Sequence, residues 1–280
     1  MVSQKITRYV DLGRFLAMLG DWQGSPKGRL FFACPDRLGD PQEGTLGDAD
    51  RQLAVKAART RYSGVPRRAV ACWLSREWQD KLLMVGVSCW YLGDTESHAM
   101  WQVFGAGGVA IESTVDKVKE AIGPAVAVEA KLVEYVDYAD RAATGLDPLK
   151  VLSFKRPPYQ HEREMRFFVP FSEEERKLIT NLRGLGRRGE NLIHKRPQGE
   201  LGPNGITVPF DVVQAVDRVV LAPTAPMWLK NAILHLCAAN KIDINKVEQS
   251  TLDDDPYAEF SSGLNQNRLA CDDLALPQNG

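Results

Sequence analysis

The chain has 280 residues, 44% of them hydrophobic and 25% charged, a balance that excludes wholesale disorder and suits one substantial folded domain. Its 35 basic and 36 acidic side chains give a formal net charge of −1, so no global field draws it to nucleic acid or to a membrane surface. The five cysteines form no C-x-x-C pair and lie mostly in apolar runs, which predicts free thiols rather than a zinc site.

In chain order, Lys5 to Val10 reads as a strand and Asp11 as the N-cap of a helix with Leu12, Phe15, Leu16 and Leu19 at helical spacing. The turn Gly24-Ser25-Pro26-Lys27-Gly28 leads into a second strand, Arg29 to Cys34, and a loop from Pro35 to Gly47. Helices are expected over Asp48 to Tyr62 and Pro66 to Trp78. Lys81 to Trp90 follows as a nearly continuous apolar strand of the kind covered on both faces. Thr95 to Phe104 reads as a helix, Gly108 to Glu112 as a strand, Thr114 to Ile122 as a helix and Val126 to Tyr138 as an alternating strand. Asp147 to Lys155 fits either type.

Glu162 to Val169 is expected as a strand, and Ser172 as the cap of a helix to Asn181. Leu185 to Gly205, rich in Gly, Arg, Lys and Pro, reads as a long exposed loop. Strands over Ile206–Phe210 and Arg218–Ala222, a helix from Pro226 to Asn240 and a strand over Lys246–Thr251 complete the chain. Uneven alternation of helices and strands predicts an α+β fold with mainly antiparallel sheets. Residues 1–251 are expected to form one domain and 252–280 an acidic, poorly ordered tail. With no apolar run long enough to span a bilayer and no signal core, the expectation is a cytoplasmic protein without membrane partners.

Strand alternation places Glu162, Glu164 and Arg166 on one face, where two carboxylates and a guanidinium must be paired or used. A solvated ladder of Glu–Arg pairs would account for them; so would a catalytic carboxylate pair with Arg166 orienting one member. Asp40 and Glu43 lie in a turn, where Asp before Pro also serves simple turn chemistry. Together with Glu162 and Glu164 they offer a carboxylate set suited to Mg²⁺ or Mn²⁺, hence a metal-dependent nuclease or phosphoesterase as one alternative. The loop from Arg187 to Arg196 could meet an anionic partner, which suits a non-catalytic sensor or interaction module as another.

Arg8-Tyr9, Phe31 to Cys34, Asp40-Pro41-Gln42-Glu43, Ser88-Cys89-Trp90, Met100-Trp101, Gly108 to Glu112 and Glu162 to Arg166 occur in a fixed order. That order resembles a widespread, largely uncharacterised bacterial family, with Gly39 where Asn is usual and Met165 where Trp is usual. The arrangement is also distantly similar to ADP-ribosyltransferases. That likeness implies NAD as substrate and a protein or nucleic acid as acceptor, in a bacterial toxin or phage-defence effector. It further implies catalytic roles for Glu164, Glu162 and Arg166. Arg8, Tyr9, Asp40, Glu43 and Trp101 would line the NAD site, with Arg8 holding the pyrophosphate or ribose. The second strand, Phe31-Phe32-Ala33-Cys34, lacks the hydroxyls that the likeness implies.

Overall fold

A computed structural model describes residues 3–20, 28–61, 64, 66–139, 144–186, 192–196, 199–252 and 254. Strand β1 (Lys5–Asp11) ends where Asp11 turns its carboxylate back to the Arg14 N–H (2.7 Å), capping α1 (Leu12–Leu19). The expected turn over 24–28 lies outside the described residues except for Gly28, where β2 (Gly28–Ala33) begins. Two helices follow, α2 (Asp48–Arg61) and α3 (Arg67–Leu82). They pack against each other and are tied to the preceding turn by Trp78 Nε1, which donates to the Gly44 carbonyl (2.7 Å).

β3 (Val85–Leu92) is the buried strand expected from its apolar run, shifted four residues at its start because α3 runs on to Leu82. The expected helix over 95–104 is only one α turn, α4 (His98–Met100), widened into a π-type turn over Trp101–Gly105. β4 (Gly108–Thr114) and the Thr114-capped α5 (Val115–Ile122) match expectation. The alternating stretch 126–138 breaks into β5 (Glu129–Leu132) and β6 (Glu134–Tyr135). The ambiguous segment resolves into α6 (Pro148–Val151), capped by Asp147, and β7 (Phe154–Lys155), which pairs in parallel with β6.

β8 (Glu164–Pro170) leads to α7 (Glu173–Gly184), closed by a reciprocal capping box between Ser172 and Glu175. The stretch expected as one long loop instead contains β9 (His194–Arg196) and β10 (Gly199–Gly202). These extend the hairpin of β11 (Gly205–Phe210), and backbone pairing to that strand outweighs the Gly-rich composition. α8 (Val212–Ala215), β12 (Arg218–Leu221), α9 (Met227–Ala239) and β13 (Val247–Gln249) follow. Of the expected C-terminal tail, residues 253 and 255–280 lie outside the described residues.

The protein is α+β. Eleven strands form one mixed, mainly antiparallel sheet in the order β13-β12-β4-β1-β3-β2-β11-β10-β9, with β8 on the other edge of β3 and β5 beyond it. Among the described residues only β12–β13 is parallel within that sheet. Strand β3 is therefore shared: β1 pairs with its Tyr91–Leu92 end and β2 with Val87, while β8 pairs with it from Val85 to Tyr91.

Side-chain alternation across β3 and β8 defines two faces. Ser88 and Trp90 share one with Phe167 and Met165, part of the main core with Ile6, Val10, Phe15 and Ile111. Cys89 and Tyr91 share the other with Arg166 and Glu164. The glycine that opens β4 is required by close approach, since a Cβ at Gly108 would lie 2.0 Å from the Val10 carbonyl oxygen. Gly108→Ala should cost about 1–3 kcal/mol in a urea melt, because β1 cannot move without shifting its pairs on both sides.

Candidate active site

Five charged side chains meet, buried, between β8, β7 and the 40–46 turn. Lys155 Nζ donates to Glu162 Oε2 (2.7 Å) and Glu164 Oε1 (2.5 Å), and lies 3.0 Å from Glu43 Oε1, which it faces without hydrogen-bond geometry. Arg166 spreads its guanidinium over three acceptors: Nε to Glu164 Oε2 (2.7 Å), Nη2 to Glu43 Oε2 (2.8 Å) and Nη1 to the Leu152 carbonyl (2.7 Å). Arg166 is 0% exposed, Glu164 2% and Lys155 3%, with Glu162 the outermost carboxylate of the pair at 8%. Such burial of charge is tolerable only because nearly every polar atom is paired.

Beside this cluster, Arg156 grips Asp40 through two bonds (2.9 and 2.6 Å), while Asp40 Oδ1 also accepts the Gln42 N–H (2.9 Å). Asp40 thus shapes its own turn, as Asp before Pro predicts, and adds a clamp to the 156 region. The Glu164 backbone N–H donates to Tyr135 Oη (2.9 Å). Lys155 Nζ lies 4.8 Å from the Tyr159 ring centroid, and Arg163 sits over Tyr91 at 5.7 Å.

Fully ionised, the cluster would carry three negative charges and two positive ones. For groups this buried, that surplus favours holding one proton, and the environments say where. Burial, then the neighbouring Glu164 carboxylate, push Glu162 up to about 7 against the pull of Lys155. Burial works the same way on Glu164, but Arg166 and Lys155 outweigh it and hold that group below the usual carboxylate range. The Lys155 ammonium is disfavoured by burial and more strongly favoured by Glu164 and Glu43, so it stays protonated. Two carboxyls with protonation driven apart are the arrangement of an acid–base pair.

The expectation that Glu162, Glu164 and Arg166 alternate along one strand needs correction. Glu162 ends a short 3₁₀ turn (Pro157–Glu162), and Arg163 follows in a left-handed conformation (φ 38°), so the strand begins at Glu164. Glu162 joins the others because that turn swings its carboxylate back to Lys155. Lys155 is the cluster's central residue, and sequence reasoning missed it; Phe-Lys-Arg-Pro-Pro carries no signal that its lysine is buried.

Glu43 joins the cluster and Asp40 lies beside it on Arg156, but the four carboxylates do not fit a divalent ion. The Lys155 ammonium occupies the centre that a metal would take, and Asp40 is turned to Arg156. Among the described residues no His, Cys, Asp or Glu group could hold a metal ion.

Tyr9 and Trp101 do not line an NAD cleft. They pack edge to face (centroids 5.0 Å apart), Tyr9 Oη accepts the Ser97 N–H (2.8 Å), and Trp101 Nε1 donates to Glu96 (2.8 Å), so both rings are used internally. Arg8 is not brought to the carboxylates either. Its guanidinium meets Ser88 Oγ and Trp90, on the face opposite Glu164 and Arg166. A cavity of about 980 Å³ beneath α2 and α3 reaches Asp40 and Glu43 but not the Glu162–Glu164 pair, and its walls, including Leu38, Leu46, Trp78 and Leu82, are mainly apolar. Arg187 and Arg188 of the expected basic loop lie outside the described residues.

No family model, no curated protein and no solved structure matches this chain.

Proposed function

We propose that the chain is an NAD-cleaving enzyme of the ADP-ribosyltransferase kind, a toxin or phage-defence effector, with the Glu162–Glu164 pair as its centre. The observation that carries this reading is the shared ammonium with its surplus negative charge, beside which Glu162 is pushed up to about 7, so that its ionised form is present at neutral pH and readily takes up a proton. In this scheme the acceptor oxygen attacks the ribose C1′ as the bond to nicotinamide breaks, and the acceptor's proton passes to ionised Glu162. Glu164, kept anionic by Arg166, supports the positive charge that develops on the ribose. Lys155 and Arg166 are positioning residues. With Arg8 on the other face, the exposed Arg163 and half-exposed Tyr159 flanking Glu162 are the groups assigned to phosphate and ring contacts. No helix among the described residues is long and apolar enough to cross a membrane. The thiols of Cys34, Cys72, Cys89 and Cys237 are free, which goes with a reducing compartment, and we place the chain in the cytoplasm.

The test is nicotinamide release from NAD by the purified full chain, with water, protein extract and RNA as acceptors. Wild type should release nicotinamide, and Glu162→Gln should lower the rate at least about 100-fold while remaining folded. Absence of release by folded wild type with every acceptor overturns the reading. A second reading is favoured by the depth of Glu164, Lys155 and Arg166: the cluster is a structural clamp and the chain an interaction module. It expects Glu162→Gln to leave the cellular phenotype intact.

A further inference from the structure

On one edge of β3, β1 accompanies only Tyr91–Leu92 and β2 only Val87, so Ser88 to Trp90 runs past a gap where the two strands part. Arg8 reaches across that stretch. Its Nη1 donates to Ser88 Oγ and, at 3.4 Å, to the Cys89 carbonyl, a backbone acceptor that neither flanking strand pairs with here. The Arg8 Cζ lies 5.6 Å from the centroid of the Trp90 ring.

Arg8 has no carboxylate partner among the described residues; the titratable groups that act on it are the Cys89 thiol and the Arg14 guanidinium. Burial without a counter-ion lowers it to about 10. A guanidinium withdrawn this far from water normally sits against an acid, and half-buried Arg8 has none. A second, independent shortage lies next to it. Trp90 is 1% exposed, yet its Nε1 has no hydrogen-bond partner among the described residues, an uncommon state for a buried donor. Ser88 accepts from Arg8 and still has its own hydroxyl proton to donate. Arg8 is half-buried, while Ser88 and Trp90 are each 1% exposed, so a ligand would have to enter on the Arg8 side.

We propose that Arg8, Ser88 and Trp90 form a binding site for a tetrahedral oxyanion, phosphate or a phosphate monoester, in the gap between β1 and β2. The guanidinium supplies charge and paired N–H donors, the hydroxyl and the indole supply two more, and the apolar surroundings strengthen each. The site lies on the opposite face of the sheet from the carboxylates and does not depend on their assigned chemistry.

The test is thermal unfolding of the full chain against inorganic phosphate, with sodium chloride at matched ionic strength as the control and AMP as a second arm. Wild-type Tm should climb with phosphate as a saturable site requires. Arg8→Gln should abolish the response, Trp90→Phe should weaken affinity about tenfold through loss of one charge-assisted hydrogen bond, and Glu162→Gln should leave it unchanged. AMP binding more tightly than phosphate identifies a nucleotide monoester as the ligand; equal binding identifies the free anion. A wild-type shift no larger than that in chloride overturns the proposal, as does an Arg8→Gln protein that responds like wild type. Should Arg8→Gln fail to fold, phosphate affinity in Trp90→Phe equal to wild type overturns it instead.

Discussion

Replacing Arg166 with methionine should lower the free energy of unfolding by about 3–5 kcal/mol, read from urea melts at neutral pH. Arg166 is fully buried and serves Glu164, Glu43 and the Leu152 carbonyl at once. Methionine fills much of the space but leaves three carboxyl groups, Glu43, Glu162 and Glu164, to one ammonium and a carbonyl to none. The loss is therefore a penalty for uncompensated charge rather than for lost packing. Adding Glu43→Gln to Arg166→Met should restore part of the stability, and the double-mutant cycle should show a coupling well outside additivity. A cost below about 1 kcal/mol for Arg166→Met would mean that water reaches the cluster and that the buried network is not closed.

The second large effect is on pH dependence. Glu162 has an ordinary value of 4.5 and is pushed up to about 7 in the folded chain. Between those values the folded state holds a proton that the unfolded state has released, so stability falls as pH rises through that window and the loss is complete above it. At about 1.4 kcal/mol per tenfold, the wild type should lose about 3 kcal/mol from pH 4.5 to 8 through this group. Glu164 works in the other direction. Its value is depressed, so its contribution is present above the ordinary value and disappears as pH falls below it. Stability should thus peak near pH 5, and Glu162→Gln should flatten the alkaline side. This variant is expected to lose activity while gaining stability at pH 8, a combination that a purely structural role for Glu162 does not give. Urea melts across pH check it; a wild-type profile level from pH 5 to 8 would remove the shared proton from the account.

Local chemistry in the sequence was enough for much of the framework. Asp11 and Ser172 are side-chain caps followed by helical spacing, and the apolar run before Trp90 is a buried strand; each is decided by near neighbours. The site was legible as a location because Glu164 and Arg166 do alternate on β8. Its composition was not. One left-handed residue, Arg163, breaks the alternation at Glu162, and the backbone gives that position no glycine to announce it. Lys155 is selected by three carboxylates, of which Glu43 lies on a segment that only the fold brings near and the other two depend on the 3₁₀ turn that follows it. Arg8 is a different kind of miss, because the signal was present. Ile6, Arg8 and Val10 alternate together, so periodicity already directed Arg8 to the core face and away from the acids. The β9–β10 hairpin was hidden by glycines and cations whose composition says loop while their pairing to β11 says strand.

The bond from Arg166 to Glu43 joins residues 123 positions apart, and β1 pairs Lys5 with Thr114. Contacts of such long range close slowly, which puts folding on the millisecond-to-second scale of non-local topologies. The charged cluster needs the 40–46 turn, β7 and β8 together, and it is expected to close only after the sheet has paired. Substitutions there should leave the refolding rate almost untouched and appear as faster unfolding, so that the cluster acts as a latch on the native state's lifetime.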